Sequence, residues 1–159
     1  MRVKIKKIHN DAIVPSYAHP SDTGFDLYTC EELELFPLQK GIAKTGLVME
    51  FPSGWGMQIR NKSGNTVKGV PVNFVADDGS IGYIRCDVTV YLGTVDCNYR
   101  GEIGIMVKNE EHDKVIRIPA GTKLAQGVLE KIYQCDFEEV IEVNETDRGE
   151  GGFGSTGDR

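Results

Sequence analysis

Between Pro15 and Gly121 the chain is interrupted by proline or glycine about every ten residues. Pro15, Pro20, Pro37, Pro52, Pro71 and Pro119, with Gly41, Gly46, Gly54 and Gly121, leave little room for a helix of average length before residue 122. Between the breaks, apolar residues alternate with polar ones. Val3/Ile5, Leu33/Leu35, Leu47/Met49/Phe51, Val88/Val90/Leu92 and Ile103/Ile105/Val107 each place one residue in two on a common face, as half-buried strands require. Many short strands with turn signals at this interval predict an all-β sandwich or barrel. The 159 residues, 40% hydrophobic and 26% charged, suit a single domain and exclude a disordered, collagen-like or disulfide-dense chain.

One segment stays open on residue chemistry alone. From Lys123 to Arg148 only Gly127 breaks the pattern; the Glu-rich stretch favours helix slightly, whereas Phe137, Glu139, Ile141 and Val143 alternate as a strand would. Residues 70–85 read as two apolar runs joined at Asp78-Gly79, a predicted hairpin.

The net charge of -6 sits at the C-terminal end, where residues 136–159 hold eight acids against Arg148 and Arg159. An acidic chain without a Lys/Arg cluster speaks against nucleic-acid binding, which rests on displacing counterions from phosphates. No run is long and apolar enough to span a membrane, and basic MRVKIKK is followed by HNDA, not by an apolar signal core. A cytoplasmic protein without membrane contact is expected. The spacings of Cys30, Cys86, Cys97 and Cys135 fit no zinc or redox motif, so reduced thiols are expected. His9, His19 and His112 share no metal-ligand spacing and are expected at the surface.

Five strips carry residues suited to chemistry. The tail DRGEGGFGSTGDR combines glycines, whose backbone N–H groups can converge on an anion, with Arg148, Phe153, Gly154, Ser155 and Thr156. It is either a solvated terminus or an arm that orders on a ligand. Asp96, in GTVDCNYRGE, is placed to serve as a general base or simply as a turn former, and Tyr99 offers a flat face to a sugar or packs at the turn. Asp26, beside an apolar run, needs a partner for its carboxylate. Lys62, Ser63 and Gly64 form either a phosphate contact or a surface turn. Gln126 sits in an apolar context, where its amide must be satisfied by protein or ligand.

In their order, DTGFDLYT (22–29), RNKSG (60–64), GTVDCNYRGEIG (93–104), GTKLAQ (121–126) and RGEGGFGSTG (148–157) resemble the five motifs of the homotrimeric dUTPases. The resemblance implies a β jelly-roll protomer, of the β-clip kind, in a threefold homotrimer with a glycine-rich C-terminal arm. It divides the chain into a catalytic domain (1–146), with an inserted hairpin at about 66–87, and an arm (147–159). It also makes 123–132 a strand.

The implied reaction is Mg²⁺-dependent hydrolysis of dUTP to dUMP and pyrophosphate, which limits uracil incorporation into DNA. Asp96 matches the carboxylate that activates water at the α-phosphorus. Tyr99 matches the ring under the deoxyribose, and the backbone from Val95 to Tyr99 the reader of the uracil edge. Lys62, Ser63, Gly64 and Gln126 match phosphate contacts, Arg148 the γ-phosphate ligand, Phe153 the ring over uracil, and Gly154, Ser155 and Thr156 the final clamp. Asp26 matches an acid that supports the metal's water shell, so no protein group ligates Mg²⁺ directly.

Two features depart from the family pattern. Lys62 stands where an Arg is usual, leaving either Arg60 or a looser contact in its place. The stretch between Ser63 and Asp96 is longer than usual and resembles insertions in some phage-encoded members. Its apolar residues Val70, Val72, Phe74, Ile81 and Tyr83 suit a protein partner at 70–85. Two rival readings are a dCTP deaminase-like enzyme and a nucleotide-gated regulator acting through that insert.

Overall fold

The computed structural model describes residues 1–76 and 78–152. Thirteen strands and one short helix are formed among them: β1 (Lys4–Lys7), β2 (Gly24–Tyr28), β3 (Leu33–Leu35), β4 (Lys40–Lys44), β5 (Leu47–Glu50), β6 (Trp55–Asn61), α1 (Ser63–Lys68), β7 (Val70–Val75), β8 (Ile81–Cys86), β9 (Val88–Val90), β10 (Gly93–Val95), β11 (Gly104–Asn109), β12 (Ile116–Ile118) and β13 (Lys123–Lys131). All ladders are antiparallel. The expected all-β class is therefore what the chain adopts, with α1 as a six-residue exception between two strands.

Strand order is β1-β5, β10-β6-β13-β2, β4-β11-β9 and β3-β12-β7-β8. The inward positions of each ladder meet in one core, in which Leu27, Leu35, Leu47, Met57, Ile105, Ile116, Ile118 and Leu124 are fully covered. Each such side chain contributes on the order of 2 kcal/mol by leaving water. The alternations that predicted strands hold, except that Val3 precedes β1 and Ile5 is exposed on it, so β1 presents no buried face. Leu92 also lies outside β9 and is exposed, because the chain turns there toward β10. His9 is only half exposed, tucked against Gly46.

The slight helix preference of 123–148 is overturned. Lys123–Lys131 is a strand hydrogen-bonded on both sides, to β2 and β6, so tertiary pairing outweighs its Glu and Lys content. Gly127 makes this close packing possible: a Cβ there would come within 2.4 Å of the Phe25 ring. Residues 132–148 form neither helix nor strand and are exposed throughout.

The 70–85 segment is a hairpin wired into the fold. β7 pairs with β8 along its whole length and also with β12, through Ile116 opposite Phe74 and Arg117 opposite Asn73. Val70 and Val72 are fully buried. The Phe74 ring lies across Gly82, where no larger residue fits. At the bend, Gly79 takes φ +80 and the Ser80 N–H donates to Asp78 Oδ1 at 2.9 Å. Arg85 Nη1 donates to the Gly69 carbonyl at 2.8 Å and ties the hairpin to the end of α1.

Candidate active site

The candidate residues are organised by the sheet β10-β6-β13-β2. Partners in register share a face. Asp26 stands opposite Gln126, Gln126 opposite Arg60, and Thr94 opposite Gln58, so these polar residues occupy one face. The other face carries Phe25, Leu27, Met57, Ile59 and Val95, all in the core.

The pairing of β13 with β2 is irregular. Lys123 pairs with Tyr28 and Ala125 with the next residue, Leu27, so Leu124 is an extra residue, a β-bulge. In a regular strand, positions 123 and 126 point to opposite faces. The bulge turns Lys123 onto the face of Asp26 and Gln126, and its Nζ reaches Asp26 Oδ2 at 2.7 Å. Its ammonium also lies 5.6 Å from the centre of the Tyr28 ring. Asn65 of α1 donates through Nδ2 to the carbonyls of Lys123 and Leu124, at 3.1 Å each, so the bulge leaves no stray acceptors and is fastened to the Lys62–Gly64 strip.

Lys62 pairs with the other oxygen of Asp26. At 5% exposure, burial pushes the Asp26 carboxyl up, but hydrogen bonds and charge from Lys123 and Lys62 outweigh it and hold the group below its usual value of 3.8. The same contact with Asp26 raises Lys123 above its ordinary value, against a smaller opposing effect of burial. Arg60 is engaged by Glu130 on the same face. A cavity of about 240 Å³ opens beside this cluster, lined by Asp22, Gly24, Asp26, Lys62 and Gln126. Gly24 makes room for the Gln126 carboxamide: a Cβ there would lie 2.6 Å from its Oε1. Ser63 and Gly64 follow at the exposed start of α1.

Asp96 and Tyr99 lie elsewhere. β10 runs into a tight turn in which the Tyr99 N–H donates to the Asp96 carbonyl at 3.1 Å. Arg100 Nη1 braces it by donating to the carbonyls of Cys97 and Tyr99, at 2.7 and 2.9 Å. The turn-former and turn-packing reading of this strip is thus accurate for the backbone, and it leaves the Asp96 carboxylate exposed. The Tyr99 ring folds over Gly101 and its hydroxyl donates to the Glu102 carbonyl at 3.2 Å. A second cavity, of about 200 Å³, is lined by Thr94, Val95, Asp96, Tyr99, Glu102 and Met106.

Asp96 follows β10 at one edge of the sheet and Asp26 lies on β2 at the other. Two strands intervene, and the registers place Asp96 level with Gly56 but Asp26 level with Arg60. Three strand spacings and four residues of rise put the two roughly 20 Å apart. Within one chain the sequence-predicted residues therefore form two groups: Asp26, Lys62, Ser63, Gly64 and Gln126, and separately Val95, Asp96 and Tyr99. Arg148 joins neither; its Nε donates to the Gly151 carbonyl at 2.8 Å within a local turn. Phe153, Gly154, Ser155 and Thr156 lie outside the described residues.

Among the described residues no group of three or more His, Cys, Asp or Glu could hold a metal ion, and all four cysteines are free thiols. No helix is long and apolar enough to cross a membrane. Lys123 and Asn65 escape a reading by strand alternation, because the former depends on the bulge and the latter contacts backbone.

A family model described as dUTPase matches residues 10–157. The chain belongs to the dUTPase family. All five strips fall within the matched range. The chain is 37% identical over 157 residues to a deoxyuridine 5'-triphosphate nucleotidohydrolase of Helicobacter pylori (strain Shi470), covering 99% of this chain and 97% of the relative. A Picosynechococcus enzyme of the same name is 38% identical, with 99% of both chains covered. Among solved structures, a Staphylococcus bacteriophage 80alpha dUTPase with dUpNHpp superposes with a TM-score of 0.81 over 98% of each chain at 23% identity. A mutant dUTPase from phage phi11 of S. aureus, described with a structural Mg(II) ion, gives 0.74 at 21% identity, over 91% of this chain and all of that one. These two likenesses show that the dUTPase protomer fold is shared.

Proposed function

We infer that this protein hydrolyses dUTP to dUMP and pyrophosphate at sites completed between copies of the chain. The observation that carries the reading is the separation of Asp96 from the Asp26–Lys62–Gln126 cluster. A general base must lie within hydrogen-bond reach of its water, and a span of roughly 20 Å exceeds any nucleoside triphosphate pose that joins the two groups within one chain. A neighbouring copy supplies the missing half. The jelly-roll homotrimer of the resemblance meets that need, and the exposed apolar residues of the 132–143 segment, Phe137 and Ile141 among them, favour assembly too.

In this reading Asp96 orients the attacking water and takes its proton as the water adds to the α-phosphorus and pyrophosphate leaves. Its exposure on a braced turn suits a base that meets its substrate at a subunit boundary. Tyr99 packs under the deoxyribose, and the Val95–Tyr99 backbone reads the uracil edge. Lys62, Ser63, Gly64 and Gln126 bind phosphate oxygens beside the cavity that Lys62 and Gln126 line. Lys62, as a point charge, takes the place of the usual Arg, while Arg60 stays with Glu130. Arg148 takes the γ-phosphate as the arm, residues 147–159, closes over the bound nucleotide, with Phe153 on the uracil and Gly154, Ser155 and Thr156 on the phosphates.

Magnesium suits this donor set as an ion carried by the substrate: it favours phosphate oxygens and water over an all-protein cage. When bound it neutralises phosphate charge. Asp26, with both oxygens engaged by lysines, acts on it at most through a water. The cytoplasm, the host's for a phage-encoded enzyme, is the working compartment.

The edge strand β8 favours an added role. Ile81 and Tyr83 are 63% and 68% exposed on a strand with one side unpaired, a surface suited to a protein partner. The hydrolytic reading is tested by measuring pyrophosphate release from dUTP, dTTP, dCTP and UTP in parallel with Mg²⁺. dUTP is the substrate consumed; ammonia release from dCTP would replace this reading with the deaminase.

A further inference from the structure

Lys62 and Lys123 share one buried carboxylate, and their surroundings differ. The Lys62 side chain is largely covered and lines the cavity with Gln126, whereas Lys123 is more open and stands over Tyr28. A lysine that is the sole partner of a buried carboxylate is a poor phosphate ligand, because turning to the phosphate strands the carboxylate unpaired. A second ammonium on the opposite oxygen removes that penalty. Lys123 reaches this position only through the bulge at Leu124, and the bulge is held by Asn65, the residue after Gly64.

We propose that Lys123 is a positioning residue that holds Asp26 so that Lys62 can leave the carboxylate for the triphosphate. The inference rests on reading this cluster as the phosphate-binding half of the site. Lys123 need not touch substrate, and its effect falls on affinity, transmitted through Asp26.

The test is a double-mutant cycle. Binding of dUpNHpp with Mg²⁺ is measured by calorimetry, and dUTP hydrolysis at steady state, for wild type, Lys123→Met, Lys123→Arg, Asp26→Asn and Asp26→Asn/Lys123→Met. Lys123→Met is expected to weaken dUpNHpp binding and raise KM roughly tenfold while kcat changes less than about threefold, and Lys123→Arg to restore both. In the Asp26→Asn background, with no carboxylate to capture Lys62, Lys123→Met should change affinity less than about twofold. Unchanged affinity in Lys123→Met, a loss confined to kcat, or an equal loss with and without Asp26 would overturn the proposal. If Lys123→Met does not assemble as wild type does, Lys123→Gln carries the same comparison. Wild-type protein inert toward dUTP would instead refute the hydrolytic reading itself.

Discussion

Asp26 and Asp96 belong to the two opposite edges of one four-stranded sheet, with β13 and β6 between them. One is buried and held by two ammonium groups; the other is exposed on a turn braced by Arg100. Their environments differ in kind, with a paired charge in the Lys62–Lys123 cluster and an exposed carboxylate on the turn.

Asp96→Asn removes the proton acceptor and keeps the turn, since the bracing bonds involve backbone carbonyls. Turnover of dUTP should fall roughly 10²- to 10⁴-fold while the dissociation constant of dUpNHpp stays near wild type. Stopped-assay kinetics with calorimetry check both.

Truncation after residue 147 removes Arg148 and the glycine-rich arm, whose hydrogen bonds among the described residues are local. Hydrolysis should be lost while sedimentation shows an unchanged assembly. An active truncated enzyme would remove the arm from the mechanism.

Asp26 sets a pH dependence of stability. Its folded-state carboxyl lies below the ordinary value of 3.8, so its stabilising contribution is present above that value and is lost as pH falls through the folded-state value. Melting temperatures of wild type and Asp26→Asn should differ most near neutrality and converge below pH 3.8.

The hairpin is tested by Ile81→Ser/Tyr83→Ser. Deleting 70–85 would remove the buried Val70 and Val72 and strip β12 of its β7 partner, so loss of function there would not identify a partner surface. The two exposed substitutions should leave hydrolysis within about twofold of wild type and stability within about 0.5 kcal/mol, while abolishing capture of any partner that binds through β8.

Much of the fold was legible because period-two alternation reports a buried face directly: Leu47/Met49, Val88/Val90 and Ile105/Val107 all sit on strands with those residues in the core. The strand at 123–131 was obscured by helix-favouring Glu and Lys, since its pairing on both sides is a long-range property. The five strips could be located, but not their division into two groups, because sheet order is set by residues far apart in sequence. Lys123 stayed hidden for a local reason: one extra residue at Leu124 reverses the face on which it falls.

The claim at the centre is that Asp96 of one copy works with Gln126 and Lys62 of another. Asp96→Asn and Gln126→Ala chains, each inactive alone, are to be mixed in equal amounts, unfolded together, refolded and assayed for dUTP hydrolysis. Sites shared between copies predict recovery of about a quarter of wild-type activity, because random assembly gives some boundaries both intact halves. A mixture that assembles normally yet stays inactive would contradict the shared site.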